Sequence, residues 1–423
     1  MSREDFKVQS LGHCRFTAPQ APSFFADEDT AVLVDATLAG CRKCEGTPLV
    51  MEQAGPRREL FFDPANTRAA IVTCGGLCPG LNDVIRALTM ILWYRYEIRQ
   101  IIGLKYGYEG LIESFNHPII DLTPEKVEDI HKDGGTILGS SRGNQDPVKM
   151  IDFLVKNNIN ILFTIGGDGT QRGAMAIALE AERRGLKISI IGIPKTIDND
   201  ISYTERTFGF ETAVALSKAP IASAHMEAKG VRNGIGLVKL MGRESGFVAA
   251  YATLASSDVN LVLVPEVSFT LEKMFQFLKD RIKLKAHAVI VVAEGAGQEL
   301  VPVEGTDASG NKKLGDIGLF LKKNISEHFS RINLPVNIKY IDPAYTIRSA
   351  PATPDDSVFC FQLSENAVHA AMAGKTAMFV GLWNGHFVHV PMKIATQTRK
   401  KIDPTGSFWQ SVIISTGQPE IAG

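Results

Sequence analysis

The feature that most constrains this chain is a recurring local texture. Runs of four to six residues rich in Ile, Val and Leu are separated by turn residues, mostly glycine, and then by segments of helical periodicity. Such runs occupy residues 69–73, 101–104, 161–165, 188–193, 236–240, 261–264 and 288–293. A strand without polar alternation must be covered on both faces, and helices between the strands supply that cover. The pattern therefore predicts an α/β fold with mostly parallel sheets, with helices at residues 81–94, 171–184 and 271–283 among others. In such sheets ligands bind beyond the carboxyl ends of the strands, so the loops that follow them are the places to look for chemistry.

Several classes are excluded by composition. With 423 residues, 45% hydrophobic and 22% charged, the chain lies in the globular range and is long enough for more than one domain. Lys and Arg total 45 against 46 Asp and Glu, so no broad basic field draws it to nucleic acid or to an anionic membrane. No stretch approaches the roughly 18 apolar residues of a membrane span. The opening Met-Ser-Arg-Glu-Asp-Phe-Lys has no apolar signal core, and Glu420-Ile421-Ala422-Gly423 is not a Ser-Lys-Leu address, so a cytoplasmic location is expected. Cys41 and Cys44 form one CxxC without a second pair, and packing is the expected role of that pair. Pro19, Pro22, Pro48, Pro56 and Pro64 interrupt residues 1–65, which read as an irregular N-terminal extension.

Three loops stand out. After residues 69–73 comes Cys74-Gly75-Gly76-Leu77-Cys78-Pro79-Gly80, then a helix carrying Asn82 and Arg86. It is either a plain strand-to-helix turn or a phosphate cradle, because glycines admit an anion to backbone amides at a helix start. After residues 161–165 comes Gly166-Gly167-Asp168-Gly169-Thr170. Here Asp168 is either a helix cap or a carboxylate for Mg²⁺, and the run resembles the nucleotide loop of NAD and diacylglycerol kinases as well. After residues 188–193 comes Pro194-Lys195-Thr196-Ile197-Asp198-Asn199-Asp200. A phosphoryl-accepting alcohol must lose its proton, and Asp198 is the candidate base. Asp200 would orient a cation or metal-bound water, and Thr196 would hold the acceptor phosphate or the transferred group.

Together with Met241-Gly242-Arg243, these motifs resemble the phosphofructokinase family in order and spacing, from about residue 68 to about residue 396. The resemblance implies two Rossmann-like domains, each discontinuous, with the active site between them. The expected division is an arm at 1–65, a nucleotide-binding domain at 66–209 with 347–397, and a fructose 6-phosphate domain at 210–346 with 398–423. It also implies Mg²⁺-assisted transfer of the γ-phosphoryl group of ATP to the 1-hydroxyl of fructose 6-phosphate, the glycolytic step that yields fructose 1,6-bisphosphate and ADP. An allosteric homo-oligomer, dimer or tetramer, follows from the same likeness.

The implied roles fall residue by residue. Gly75, Gly76, Ser141, Arg142, Gly143, Gly166, Gly167, Asp168, Gly169 and Thr170 would meet the nucleotide, with Asp168 toward the metal. Asp198, Thr196, Asp200 and Arg243 would be catalytic. Thr196, Ile197, Asp198, Met241, Gly242, Arg243, Glu294, Lys339, Tyr345 and Arg348 would meet the sugar phosphate. Small bacterial relatives carry an arginine where this chain has Gly234, which puts the neighbouring subunit's contribution in question.

Two positions bear on the donor. Pyrophosphate-using relatives carry Asp at the position of Gly169, where a carboxylate would crowd and repel the α-phosphate of ATP. Lys195 points the other way, being usual in the pyrophosphate users. The mixture resembles the long ATP-dependent branch of trypanosomatids and plants, with a pyrophosphate-dependent enzyme as the alternative. A non-catalytic regulatory subunit is disfavoured because Asp168, Asp198, Asp200 and Arg243 are all present. An NAD or lipid kinase does not account for Thr196, Asp198 and Arg243 together. Ala373-Gly374-Lys375-Thr376 only superficially ends like a P-loop and is assigned to packing, and His386 with His389 is not expected to bind metal.

Overall fold

The structure is a computed structural model that describes all residues except 1, 20–23, 28–29, 44–47, 307–311 and 420–423. Cys44 of the CxxC and the terminal tetrapeptide lie outside the described residues. The chain divides into two compact units, one of residues 1–196, 201–209 and 349–399, the other of 197–200, 210–348 and 400–423.

The first unit is built on a nine-stranded sheet. Its parallel centre runs Gln100–Leu104, Arg68–Thr73, Ile161–Gly166, Ser189–Pro194 and Met378–Trp383 in spatial order. Numbered along the chain that order is 2-1-3-4-5, the doubly wound arrangement whose switch point lies between Arg68–Thr73 and Ile161–Gly166. Every residue of Ile161–Gly166 and Ser189–Pro194 is buried, as continuous apolar runs require. Helices Leu81–Met90 and Pro354–Met372 cover one face, and Pro147–Lys156 with Asp168–Arg183 the other. Much of residues 1–65 is irregular, but Ala31–Leu33 and Val50–Gln53 extend the sheet antiparallel beyond His386–Pro391. Phe6, Val32 and Met51 are buried in one of its two cores.

Boundaries differ from expectation in instructive ways. The helix expected at 171–184 begins at Asp168, so Asp168, Gly169 and Thr170 form its first turn, where a carboxylate is favoured by the free amides. The helix expected at 81–94 is α-helical over Leu81–Met90 and widens to a π turn over Ile91–Arg95. Gly374 turns the chain from Pro354–Met372 into the two-residue strand Lys375–Thr376, which pairs with Gln9–Ser10, so the P-loop lookalike serves packing. His389 Nδ1 lies 3.2 Å from Glu52 Oε1.

The second unit holds a four-stranded parallel sheet in the order Leu261–Leu263, His287–Ala293, Gly234–Leu240, Asn337–Ile341. Helices Leu271–Lys285 and Ile317–Arg331 pack an apolar stripe of Met274, Leu278, Ile282, Leu321 and Ile325 against it. Helix Phe210–Lys229 lies directly on Gly234–Leu240. A Cβ on Gly234 would fall 2.0 Å from the Ala228 carbonyl oxygen, which is why no arginine stands there. No described helix is long and apolar enough to cross a membrane.

Candidate active site

In the first unit the glycine loops meet at the switch point. Gly75 has φ +84, a left-handed conformation that favours glycine. Its N–H donates to the Ser141 carbonyl at 3.0 Å, and Ser140 Oγ donates to the Gly75 carbonyl at 2.5 Å. The loop of Ser141, Arg142 and Gly143 is thereby docked on Gly75 and Gly76, with Arg142 exposed. Lys195 is buried and donates through Nζ to the Gly76 carbonyl at 2.6 Å, while its N–H donates to the Gly166 carbonyl at 3.0 Å. One lysine thus ties the first glycine loop to the second.

The second loop is held from beneath. The buried Tyr108 hydroxyl donates to the Thr170 carbonyl at 2.6 Å, and Gln171 Nε2 to the Gly166 carbonyl at 3.0 Å. Gly173 leaves room for the tyrosine, since a Cβ there would lie 2.4 Å from its ring. Sequence reasoning did not single out Tyr108, although a glycine inside a good helix former was a signal. Asp168 pairs through Oδ2 with Arg172 on the next turn and with Arg399 at 3.3 Å, and Arg399 was likewise missed. Gly169 differs from Gly166 and Gly167 in packing: none of the three has a positive φ, but a Cβ on Gly166 or Gly167 would lie 2.1 Å from Thr170 or 3.2 Å from the Lys195 carbonyl oxygen, whereas one on Gly169 would meet nothing within 4 Å. Neither backbone nor packing demands glycine there.

In the second unit the site lies at the carboxyl ends of three adjacent parallel strands. Gly242, at φ +125, turns the chain after Gly234–Leu240, and a Cβ on it would lie 2.6 Å from the Ser245 carbonyl oxygen. The next strand's end is tied to this turn, because Glu294 N–H donates to the Leu240 carbonyl and Gly295 N–H to the Gly242 carbonyl, each at 2.9 Å. Gly295 is needed for that approach, as its Cβ would fall 1.9 Å from the Arg243 carbonyl oxygen. After Asn337–Ile341 the short helix Ala344–Arg348 brings Arg348 Nη2 to 3.7 Å from Glu294 Oε1 and leaves Tyr345 88% exposed. Lys339, inside its strand, faces Glu227 at 3.5 Å.

Asp198 joins this group. Its Oδ2 accepts from the Arg243 N–H at 3.4 Å, and its carbonyl accepts from Ser245 Oγ at 3.2 Å. Burial, and after it the neighbouring charge of Asp200, pushes the Asp198 carboxyl well above the ordinary carboxylate range, with Arg348 opposing and Glu294 adding to the rise. Met241 and Asp200 are buried, Asp200 accepts at its carbonyl from the Lys400 N–H at 2.9 Å, and the Arg243 guanidinium donates to the Lys312 carbonyl. The Thr196 carbonyl, in the first unit, accepts from Thr207 Oγ1 at 2.7 Å, and Ile197 is buried beside it in sequence. The result is a carboxylate poised to take a proton, next to a guanidinium-carboxylate pair suited to a phosphorylated polyol.

Known proteins include close relatives of this chain. A chain named ATP-dependent 6-phosphofructokinase from Borreliella burgdorferi is 48% identical, with 98% of this chain and 97% of that one aligned. One of the same name from Entamoeba histolytica is 47% identical over 95% and 93% of the two chains, and one from Arabidopsis thaliana, named ATP-dependent 6-phosphofructokinase 7, is 48% identical over 88% and 77%. Among solved structures, a pyrophosphate-dependent phosphofructokinase from Marinobacter aquaeolei superposes with a TM-score of 0.69 at 20% identity, covering 84% of this chain and 92% of that one, a likeness of fold. Residues 68–371, the stretch that carries all three loops and both strand-end groups, match the family model described as Phosphofructokinase, and the chain belongs to that family.

Proposed function

We propose that this protein is an ATP-dependent 6-phosphofructokinase, transferring the γ-phosphoryl group of ATP to the 1-hydroxyl of fructose 6-phosphate. The observation that carries the chemistry is Asp198, a carboxyl whose surroundings raise its proton affinity within a cluster of Arg243, Glu294 and Arg348. Asp198 takes the hydroxyl proton as the oxygen attacks, and Asp200 keeps its proton affinity high. Arg243 and Arg348 bind phosphate oxygens, Glu294 accepts from sugar hydroxyls, and Met241, Gly242, Ile197 and the exposed Tyr345 line the sugar phosphate. Lys339, which lies 3.5 Å from the exposed Glu227, adds a further cation for the sugar phosphate, since an exposed ion pair yields readily to a phosphate.

On the nucleotide side the amides of Gly75, Gly76, Gly166, Gly167 and Thr170 with Ser141 and Gly143 cradle the phosphates, and Arg142 offsets their charge. Thr196 holds the transferred group. Mg²⁺ fits Asp168 as a partner of phosphates and water rather than as a caged ion. Both arginine contacts go to Oδ2, which leaves Oδ1 for a metal-bound water, and no group of three ligating side chains occurs among the described residues. When bound with ATP, the ion neutralises the charge of the phosphate chain.

ATP is the donor because Gly169 is open with no structural need for glycine, which leaves its small size to serve the nucleotide. The favouring signal for pyrophosphate, Lys195, has another explanation, since its ammonium anchors Gly76. Assembly as a homo-oligomer and a cytoplasmic location complete the proposal. Steady-state assays of the purified chain with fructose 6-phosphate and either Mg-ATP or Mg-pyrophosphate test it. Fructose 1,6-bisphosphate formed with ATP is expected, and turnover with pyrophosphate alone overturns the donor assignment.

A further inference from the structure

The amino-terminal edge of the four-stranded sheet, about 20 Å along the strand from Glu294, carries a second convergence of titratable groups. Gly234 and Gly236 let helix Phe210–Lys229 approach so closely that added Cβ atoms would fall 2.0 Å from the Ala228 carbonyl oxygen and 2.6 Å from that of Ala224. His225, next to Ala224 on this helix, is thereby set beside His287, which pairs in register with Gly234. Their Nε2 atoms are 3.3 Å apart.

The outer nitrogens settle the tautomers. His225 Nδ1 lies 3.0 Å from Asp258 Oδ1, and His287 Nδ1 lies 3.0 Å from the Lys285 carbonyl oxygen. A carboxylate and a carbonyl only accept, so each Nδ1 carries the proton and each neutral ring turns a bare Nε2 toward the other. Two acceptors at that distance repel unless a cation lies between them. Two imidazole nitrogens on a tetrahedral zinc, with bonds of about 2.0–2.1 Å, stand about 3.3–3.4 Å apart. The Asp258-His225 and Lys285-His287 contacts are also the outer-shell bonds that metal-bound histidines make.

We propose that His225 and His287 form a binding site for a transition-metal dication of the Zn²⁺ class, with Asp258 as a positioning residue. The site is open. His225 is 19% exposed and Asp258 39%, and no third ligating side chain joins them among the described residues, so water fills the remaining positions. Binding clips the helix to the sheet edge and raises Tm.

Calorimetric titration of the full chain with ZnCl₂ at pH 7.5, without nucleotide, tests the site. One binding event is expected to weaken at least tenfold in His225→Gln and in His287→Gln, with the double variant no weaker than either single one, because the ligands share one ion. Asp258→Asn, which leaves both imidazoles in place, weakens it by about tenfold. Wild-type affinity in all three single variants, or no binding to the wild type at millimolar Zn²⁺, overturns the proposal.

Discussion

The two strand-end sites are assembled by opposite means. In the first unit side chains serve the backbone: Lys195, Ser140, Tyr108 and Gln171 spend their hydrogen bonds on carbonyls of the glycine loops. In the second unit the backbone serves the side chains, since Gly242 and Gly295 bend two strand ends together so that Asp198, Arg243, Glu294 and Arg348 converge. On the function proposed above, the difference follows from the chemistry. A polyphosphate is held by many weak donors at close range, which requires small residues. Proton transfer requires one group of tuned affinity, which requires charges and burial in a specified arrangement.

Substitutions in each region sharpen that contrast. Asp198→Asn should lower kcat by about 10³-fold with a few-fold change in the fructose 6-phosphate KM, because a group that acts in proton transfer is lost and the binding groups remain. The same variant should raise Tm at neutral pH by a few degrees. The folded state binds this proton more tightly than the unfolded chain, so the ionised group costs stability as pH rises through its elevated pKa, and an amide removes that cost. Near-normal turnover would remove Asp198 from the role of base.

Gly169→Asp should reduce kcat/KM for ATP by about 10²-fold while leaving thermal stability unchanged or slightly raised, since nothing occupies the Cβ position and an acid in a first helical turn is favourable. Unimpaired ATP kinetics would show that the donor is not sensed there. Asp200→Asn should move the acidic limb of the kcat profile to lower pH, because the like charge that raises Asp198 is gone, with less than a tenfold loss at the optimum. A limb that stays in place would break the coupling between the two carboxylates. Tyr108→Phe, the smallest effect, should cost about 1 kcal/mol of stability and raise the ATP KM, leaving the fructose 6-phosphate KM alone.

Legibility in the sequence follows the same divide. Continuous runs such as residues 161–165 and 188–193 read as buried parallel strands because both faces are covered, and the glycine loops after them read as phosphate-binding because glycine's permissiveness is local. Helix starts were less legible. Asp168 looked like loop and is the first helical residue, a difference of one turn that free amides and an acidic side chain decide. Arg399 and Tyr108 were missed since their partners, Asp168 and Thr170, are 231 and 62 residues away. Lys339 lies within a strand, 3.5 Å from Glu227 on the helix packed against it, a contact between residues 112 positions apart that no local pattern announces.

What the amino-acid order determined by itself is the alternation of buried strand, glycine turn and helix, and with it the class of fold and the places where its glycine loops fall. These depend on residues adjacent in the chain, whose torsional freedom and periodicity act locally. Only the tertiary structure decided which carboxylate gains proton affinity, why Lys195 is compatible with ATP, and why Gly169 is free to report on the donor. Each of those rests on burial and on charges or carbonyls brought from distant segments, and electrostatic environment is a property of three-dimensional arrangement rather than of sequence neighbours.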